Sequence, residues 1–196
     1  MTRTWGEHFG DNMMTTKRLG IYLIYGGLAL ALILGLAQIA LAAGHGSIDP
    51  DQKYAWGTAI GWINFNPAQG GGTVYDDHLE GYAWAENVGW IRLGTHTGGG
   101  SHTYANTSAD TYGVNNDGSG NLSGYAWGTH VGWIDFNPGD SQVTIDAATG
   151  AFDGYAWAEN VGWIHFRHAG PDGYGVVTDW RHYVYYLPVI LKGAAP

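Results

Sequence analysis

The sequence predicts an all-β fold: an antiparallel meander of about twelve short strands, made from four hairpin repeats and preceded by an apolar N-terminal segment. Three observations predict it. A twelve-residue motif recurs four times. Its two halves are rich in aromatic and β-branched residues, with turn-forming residues between them. And 33 Gly are distributed through 196 residues of which only 13% are charged, a composition suited to short strands and tight turns. Two packed sheets are the favoured arrangement, with a solenoid or a propeller-like ring as alternatives.

Taken in chain order, residues Leu19 to Leu41 form an apolar run interrupted only by small residues and Gln38. Lys17 and Arg18 precede the run, and Ala40-Leu41-Ala42 closes it with the small-x-small pattern of a signal-peptidase site. The expectation is a signal peptide over 1–42. A run of this length also suffices to span a bilayer, so an uncleaved anchor is the alternative, and residues 19–41 are the only membrane contact expected. Cleavage after Ala42 leaves 154 residues with 15 acidic and five basic side chains, net −10. That balance argues against nucleic acid, whose phosphates need basic partners. The absence of Cys excludes a disulfide scaffold.

The four copies are Tyr54-Ala-Trp-Gly-Thr-Ala-Ile-Gly-Trp-Ile-Asn-Phe65, Tyr82-Ala-Trp-Ala-Glu-Asn-Val-Gly-Trp-Ile-Arg-Leu93, Tyr125-Ala-Trp-Gly-Thr-His-Val-Gly-Trp-Ile-Asp-Phe136 and Tyr155-Ala-Trp-Ala-Glu-Asn-Val-Gly-Trp-Ile-His-Phe166. Copies one and three share Trp-Gly-Thr, while two and four share Ala-Glu-Asn-Val, so the larger unit is a pair. Each copy reads as two strands around a turn in which Asn87 and Asn160 supply a left-handed residue. A further strand precedes most copies, as in Val143 to Ile145 and Tyr112 to Val114. The segments divide as a first repeat pair over 43–100, a second over 101–180 and an apolar tail over 181–196. The boundary between the pairs lies in the Gly-, His- and Ser-rich stretch Gly94 to Thr103.

Strand periodicity assigns the faces. Ile91 and Leu93 share one, which is the core. Trp90 and Arg92 share the other, and because the Arg92 position holds Asn64, Asp135 and His165 in the other copies, that face meets solvent. The second Trp of each copy, namely Trp62, Trp90, Trp133 and Trp163, is therefore predicted on a partly polar face, as an aromatic platform or a subunit contact. After copy four, Tyr174 to Val177 begins a fifth unit that lacks its hairpin and leaves a sheet edge. The chain then ends in Tyr183, Val184, Tyr185, Tyr186, Leu187, Pro188, Val189, Ile190 and Leu191. Pro188 rules out an ordinary central strand there, and the tail is the candidate for linking one subunit to the next by strand addition.

No constellation for catalysis is visible. Glu86 and Glu159 recur in matching turns but lack a partner carboxylate, which glycoside hydrolysis requires. Asp76, Asp77 and Glu80 read as a solvated turn. His96, His102, His130 and His182 are scattered, and His165 and His168 point to opposite faces of a strand, so no metal site is expected. Asn115 to Asn121 has a weak likeness to a calcium loop but lacks the leading Asp and has Ala126 where the bidentate Glu belongs. A Gly-rich turn is the favoured reading, and no cofactor is expected.

The tandem Gly-Tyr-Ala-Trp-(Ser/Ala)-Glu-Asn-Val-Gly-Trp-Ile units at Gly81 to Ile91 and Gly154 to Ile164 resemble those of a set of secreted bacterial repeat proteins. The tail Tyr185 to Lys192 resembles the Tyr-Leu-Pro-aliphatic-basic endings of secreted proteins from Chloroflexi-type bacteria. The resemblance implies an extracellular or cell-surface protein and implies no catalytic activity. The expected function is therefore a non-enzymatic structural protein that associates with itself in a fibre, sheath or surface layer. The alternative is a carbohydrate-binding module whose Trp side chains are sugar platforms. Net −10 opposes close assembly at low salt, so divalent cations or salt should promote it in the first case.

Overall fold

The computed structural model describes residues 44–181. The expected leader over 1–42 and the linking tail from Tyr183 to Leu191 lie outside the described residues. Among the described residues the secondary structure is entirely β, in fourteen strands, and every strand pair is antiparallel.

The four copies form four hairpins: β1 (His45–Gly57) with β2 (Gly61–Asn64), β4 (Leu79–Ala85) with β5 (Gly89–Arg92), β7 (Leu122–Gly128) with β8 (Gly132–Asp135), and β11 (Tyr155–Ala158) with β12 (Gly162–His165). Each hairpin joins the next with one repeated register. Trp84 lies opposite Asn64, Trp127 opposite Arg92 and Trp157 opposite Asp135, and Trp56 then lies opposite His165. A relation repeated four times in one direction returns to its start, so the eight strands close into a barrel with β12 bonded to β1. The meander of hairpins is as the sequence predicts. The favoured pair of packed sheets is replaced by a single closed wall, and the two repeat pairs are halves of that wall.

The inner face explains why closure is possible. Ala55, Ala83, Ala126 and Ala156 point inward, each directly across from an Ile: Ile63, Ile91, Ile134 and Ile164. All eight are buried. Eight strands leave an interior only wide enough for side chains, and this small-against-large pairing fills it without crowding. One end is plugged by Phe65, Leu93, Phe136 and Phe166, with Phe166 5.3 Å from Phe65 and 5.6 Å from Phe136. Ile60 and Val131, buried in the hairpin turns, pack at the other.

The turns correct one expectation. Strands pair Gly57 with Gly61 and Ala85 with Gly89, leaving three loop residues. The loop closes through Val88 N–H donating to the Ala85 carbonyl at 3.2 Å. The left-handed residue is the Gly that follows, at φ 75 to 82° in all four hairpins, not Asn87 or Asn160. A type I turn followed by a left-handed Gly is a common three-residue hairpin, and it leaves the middle residue free. That residue reaches sideways instead. Asn87 Nδ2 donates to the Ile60 carbonyl at 3.1 Å, His130 Nδ1 contacts the Val88 carbonyl at 3.0 Å, and Asn160 N–H donates to the Val131 carbonyl at 3.3 Å.

Each hairpin is also braced by an additional strand beyond the plugged end. β3 (Gly72–Tyr75) pairs with β4, and β6 (Val114–Asn116) pairs with β7. Before the fourth hairpin, β9 (Thr144–Ile145) pairs with β10 (Phe152–Asp153). Gly72, Val114 and Val143 each donate a backbone N–H to the carbonyl of Phe65, Leu93 and Phe136 respectively. The strands pass so close that Gly81 and Gly154, at φ 91° and 87°, have no room for a Cβ against the Gly71 and Gln142 carbonyls.

The first hairpin gets its brace from the far end of the chain. β14 (Tyr174–Thr178), flanked by β13 (Arg167–His168), pairs with β1, and Val176 N–H donates to the Phe166 carbonyl at 3.3 Å. Val176 thus stands where Val114 and Val143 stand elsewhere. The likeness of Tyr174 to Val177 with Tyr112 to Val114 has a simple meaning: the fifth unit is the displaced start of the first. The sheet edge expected there does not exist, since β14 is paired and Ala151 bridges to Val177 on its other side.

Candidate functional site

Period two along strands whose inner face is Ala and Ile puts every Tyr and Trp of the motif outside. Tyr54, Trp56 and Trp62 form one cluster. Tyr82, Trp84 and Trp90 form the second, Tyr125, Trp127 and Trp133 the third, and Tyr155, Trp157 and Trp163 the fourth. Eleven of these twelve rings are 36–46% exposed. The four predicted platforms Trp62, Trp90, Trp133 and Trp163 are on the outer wall as expected. The sequence reading missed that the first Trp and the Tyr of each copy join them, although the alternation in Tyr-Ala-Trp, with Ala inward, carries that information.

Within a hairpin the two Trp are direct cross-strand partners, 4.9 to 5.0 Å apart and edge to face, as at Trp56–Trp62, Trp84–Trp90 and Trp157–Trp163. Such pairs stabilise the strand pair by about 0.5–1.5 kcal/mol beyond area burial, yet each leaves part of its rings open to solvent. Beside each first Trp lies the polar residue of the neighbouring hairpin, Asn64, Arg92, Asp135 or His165, so the wall alternates aromatic faces with hydrogen-bonding groups. Burial, aided by His168 and opposed by Asp153, holds the His165 imidazole below its usual range. Its ring stacks on Tyr155 at 4.2 Å and bonds to the Tyr174 hydroxyl at 3.0 Å.

The third cluster differs from the others. Tyr112, just before β6, stands edge-on to Trp133 at 5.0 Å, and burial pushes its phenol up so that it remains a neutral hydroxyl. With Tyr125, Glu159 and the loop from Asn106 to Ala109, these rings line a cleft of about 360 Å³. The loop is held by Asn106, whose φ of 53° is the one left-handed non-Gly conformation among the described residues and whose Oδ1 accepts the Gly113 N–H at 3.0 Å. Trp133 is consequently half-buried where the other platforms are exposed. A larger depression of about 790 Å³ next to β14 is lined by Asp51, Asp146, Arg167 and Tyr54 among others, with no Trp.

A second assembly lies where β3, β4 and the connection after β5 meet, and it overturns two expectations. Glu80 is buried, and with Asp77 it flanks the wholly buried His78 in place of a solvated turn. His78 Nδ1 lies 2.6 Å from Asp77 Oδ1 and its Nε2 lies 3.0 Å from Glu80 Oε1. His96 Nε2 is 3.6 Å from the same Glu80 oxygen. His96 and His102, scattered in sequence, stack at 4.1 Å. Tyr75 stacks on His78 at 4.5 Å, and Gly99 N–H donates to Glu80 Oε1 at 2.8 Å. Desolvation works to raise the Asp77 carboxyl, but bonds from Ser101, His78 and the His102 N–H outweigh it and hold it below the usual range. Burial, with His96 and His78 nearby, lowers His102. His78 went unremarked in the sequence; an alternating Asp77-His78-Leu79-Glu80 at a strand start was its only trace.

The remaining candidates stay apart. Glu86 is exposed in its turn, and Glu159 Oε2 accepts the Trp133 N–H at 3.4 Å. Asp76 Oδ1 accepts the Trp180 indole N–H at 2.8 Å, and its Oδ2 accepts the Gly44 N–H. In the calcium-like segment, Asp117 accepts the Ser119 and Asn121 N–H groups and the Asn121 side chain, which makes its carboxylate the organiser of the turn. Comparison with family models, curated proteins and solved structures finds no match to this chain.

Proposed function

We propose that this protein is an extracellular, non-catalytic polysaccharide-binding module, with the cleft at Trp133 as its principal subsite. The observation that carries this reading is the third cluster: an indole face set in a concavity, flanked by Tyr112 and Tyr125 and rimmed by Glu159, Asn106, Thr107 and Ser108. A sugar ring has one face of C–H groups and a rim of hydroxyls. Aromatic faces with convergent hydrogen-bonding groups at the edge complement both. The other three clusters offer similar exposed rings, with Tyr54 of the first at the larger depression next to β14, and would engage further residues of a long chain weakly. Several weak contacts on one polymer add through effective concentration.

Self-association into a sheath or surface layer is the second reading. What favours it is that exposed aromatic clusters occur on all four hairpins of the closed wall, and large exposed apolar patches mark interaction surfaces. Strand addition by residues 183–191 has lost its receiving edge at β14, so lateral contact of walls is the form this reading takes.

The test is affinity electrophoresis and Trp fluorescence against a panel of soluble polysaccharides, with sedimentation velocity on the same samples. Binding by a monomer is expected, with Trp133→Ala weakening it at least tenfold, the scale of losing one anchor of about 2 kcal/mol. Trp163→Ala should weaken it less. Concentration-dependent assembly without sugar binding would replace the first reading with the second.

A further inference from the structure

We propose that His78, Glu80 and His96 form a binding site for one Zn²⁺-class cation, separate from the aromatic wall. One donor atom from each of the three residues lies within 4.8 Å of the other two, and Glu80 Oε1 is 3.0 Å from His78 Nε2 and 3.6 Å from His96 Nε2. Two imidazoles and a carboxylate are the donor set that suits zinc and its transition-metal neighbours, not calcium or magnesium, which take oxygen ligands.

Hydrogen-bond counting at His78 points the same way. A neutral imidazole has one N–H, and it donates to one partner only. Here both ring nitrogens face carboxylate oxygens, Asp77 at 2.6 Å and Glu80 at 3.0 Å, around a side chain with no solvent access. If Nδ1–H donates to Asp77, then Nε2 and Glu80 Oε1 are two lone pairs facing each other, a repulsive contact unless a proton or cation lies between. A cation there relieves it, and His96 supplies the third lone pair once its Nε2, which otherwise donates to the Gly99 carbonyl at 3.1 Å, releases that proton to the Nδ1 tautomer. Asp77 then acts as the outer carboxylate that fixes the tautomer and orientation of a metal-ligating His. Asp77 is itself held by Ser101 and the His102 N–H, and Glu80 by the Gly99 N–H. The groups around the ligands are therefore positioned before any ion arrives.

The fold gives such a site a task. His78 ends the β3–β4 turn and Glu80 lies in β4, whereas His96 belongs to the Gly-rich connection from Gly94 to Thr103 that joins the two halves of the sequence. A cation bridging them pins that connection in a chain without Cys. His96 and His102 also line an open depression of about 260 Å³, which brings solvent to the His96 side of the site.

The experiment is isothermal titration of the chelator-treated protein with Zn²⁺, with Ca²⁺ and Mg²⁺ in parallel, and thermal melts at each metal concentration. One Zn²⁺ per chain is expected, with a melting temperature that rises with free Zn²⁺, and no response to Ca²⁺ or Mg²⁺. His96→Gln and Glu80→Gln should each weaken Zn²⁺ binding at least tenfold, while His130→Gln, on another part of the surface, leaves it unchanged. Near-UV circular dichroism of the Trp wall reports whether each variant is folded, and His96→Gln changes a half-exposed loop residue. Absence of saturable Zn²⁺ binding would overturn the proposal in favour of a protonated His78 between two carboxylates. Undiminished binding by a folded His96→Gln, or an equal response to Ca²⁺, would overturn it as well.

Discussion

Three of the hairpins are braced by the strand just before them in sequence, while the first is braced by β14 from the other end of the described chain. The chemistry of the two kinds of junction is the same: a Val or Gly N–H donated to the plug residue, and a Tyr set against a platform Trp, Tyr112 with Trp133 and Tyr174 with Trp62, both at 5.0 Å. The loop that must be closed is not the same. The internal braces join over a few residues, whereas Ile48 meets Thr178 across nearly the whole barrel. Closing a longer loop costs more conformational entropy, so the first hairpin is the place where the ring is held with the least local help. Its reinforcement is concentrated in one spot. Trp180, 1% exposed, packs against Gly46, which has no room for a Cβ, and the Thr178 hydroxyl donates to the Ser47 carbonyl at 2.9 Å.

Removing the closing strand breaks that comparison outright. Deletion of residues 171–196 leaves the first hairpin unbraced and uncovers Val176's partners, and the expected outcome is loss of the cooperative melt and of the near-UV signal. The sharper form is a circular permutant in which 171–181 is moved ahead of residue 44 by a short turn, feasible because Trp180 already lies against Gly46. This restores to the first hairpin the local arrangement of the other three. It should melt cooperatively, within about 1 kcal/mol of the parent, an outcome that the closeness of the two ends of the described segment, Gly46 against Trp180, makes ordinary. A permutant that fails to fold would mean that β14 is not the equivalent of β6.

The two classes of Trp give the next largest effect. Trp180→Ala removes a buried indole that donates to Asp76 Oδ1 at 2.8 Å, and should cost about 3–5 kcal/mol. Trp163→Ala removes a ring that is already 40% exposed and has two edge-to-face partners on the wall, Trp157 and Tyr155, and should cost about 1–2 kcal/mol. Urea unfolding of the two variants checks the order. A similar loss in both would mean that the wall holds the barrel together and is not spare surface.

Much of this was legible in the sequence because the repeat constrains it. The hairpins, the core face and the outward position of Trp62, Trp90, Trp133 and Trp163 follow from a period of two within a motif that occurs four times. Closure was not legible, because it depends on the register between hairpins, and nothing in one copy states that Trp84 will lie opposite Asn64. The likeness between Tyr174-Gly-Val and Tyr112-Gly-Val contained the answer but admits two meanings, an unfinished unit or a displaced one. The His78 assembly was invisible for another reason. Its residues come from β3–β4 and from a loop some twenty positions on, and only the fold brings them together.

The smallest effect tests the rim opposite the Phe plug, where the seam between fourth and first hairpins again differs from the rest. Asn87 and His130 through their side chains, and Asn160 through its backbone N–H, each bond back to a turn carbonyl of the preceding hairpin, Ile60, Val88 and Val131. By the same register the matching residue of the first hairpin is Ala59, which has no side-chain donor for the Val161 carbonyl. Ala59→Asn should supply it. The turn places its left-handed residue at Gly61 and not at position 59, so Asn is accepted there without strain, as it is at 87 and 160. The gain expected is about 0.5–1.5 kcal/mol, the net worth of one hydrogen bond, and Asn87→Ala should lose a similar amount. Thermal melts of both variants and of the double variant decide it. If the four seams are equivalent apart from this bond, the two changes cancel. If Ala59→Asn leaves stability unchanged while Asn87→Ala lowers it, the closing seam departs from the other three in its geometry as well as its composition.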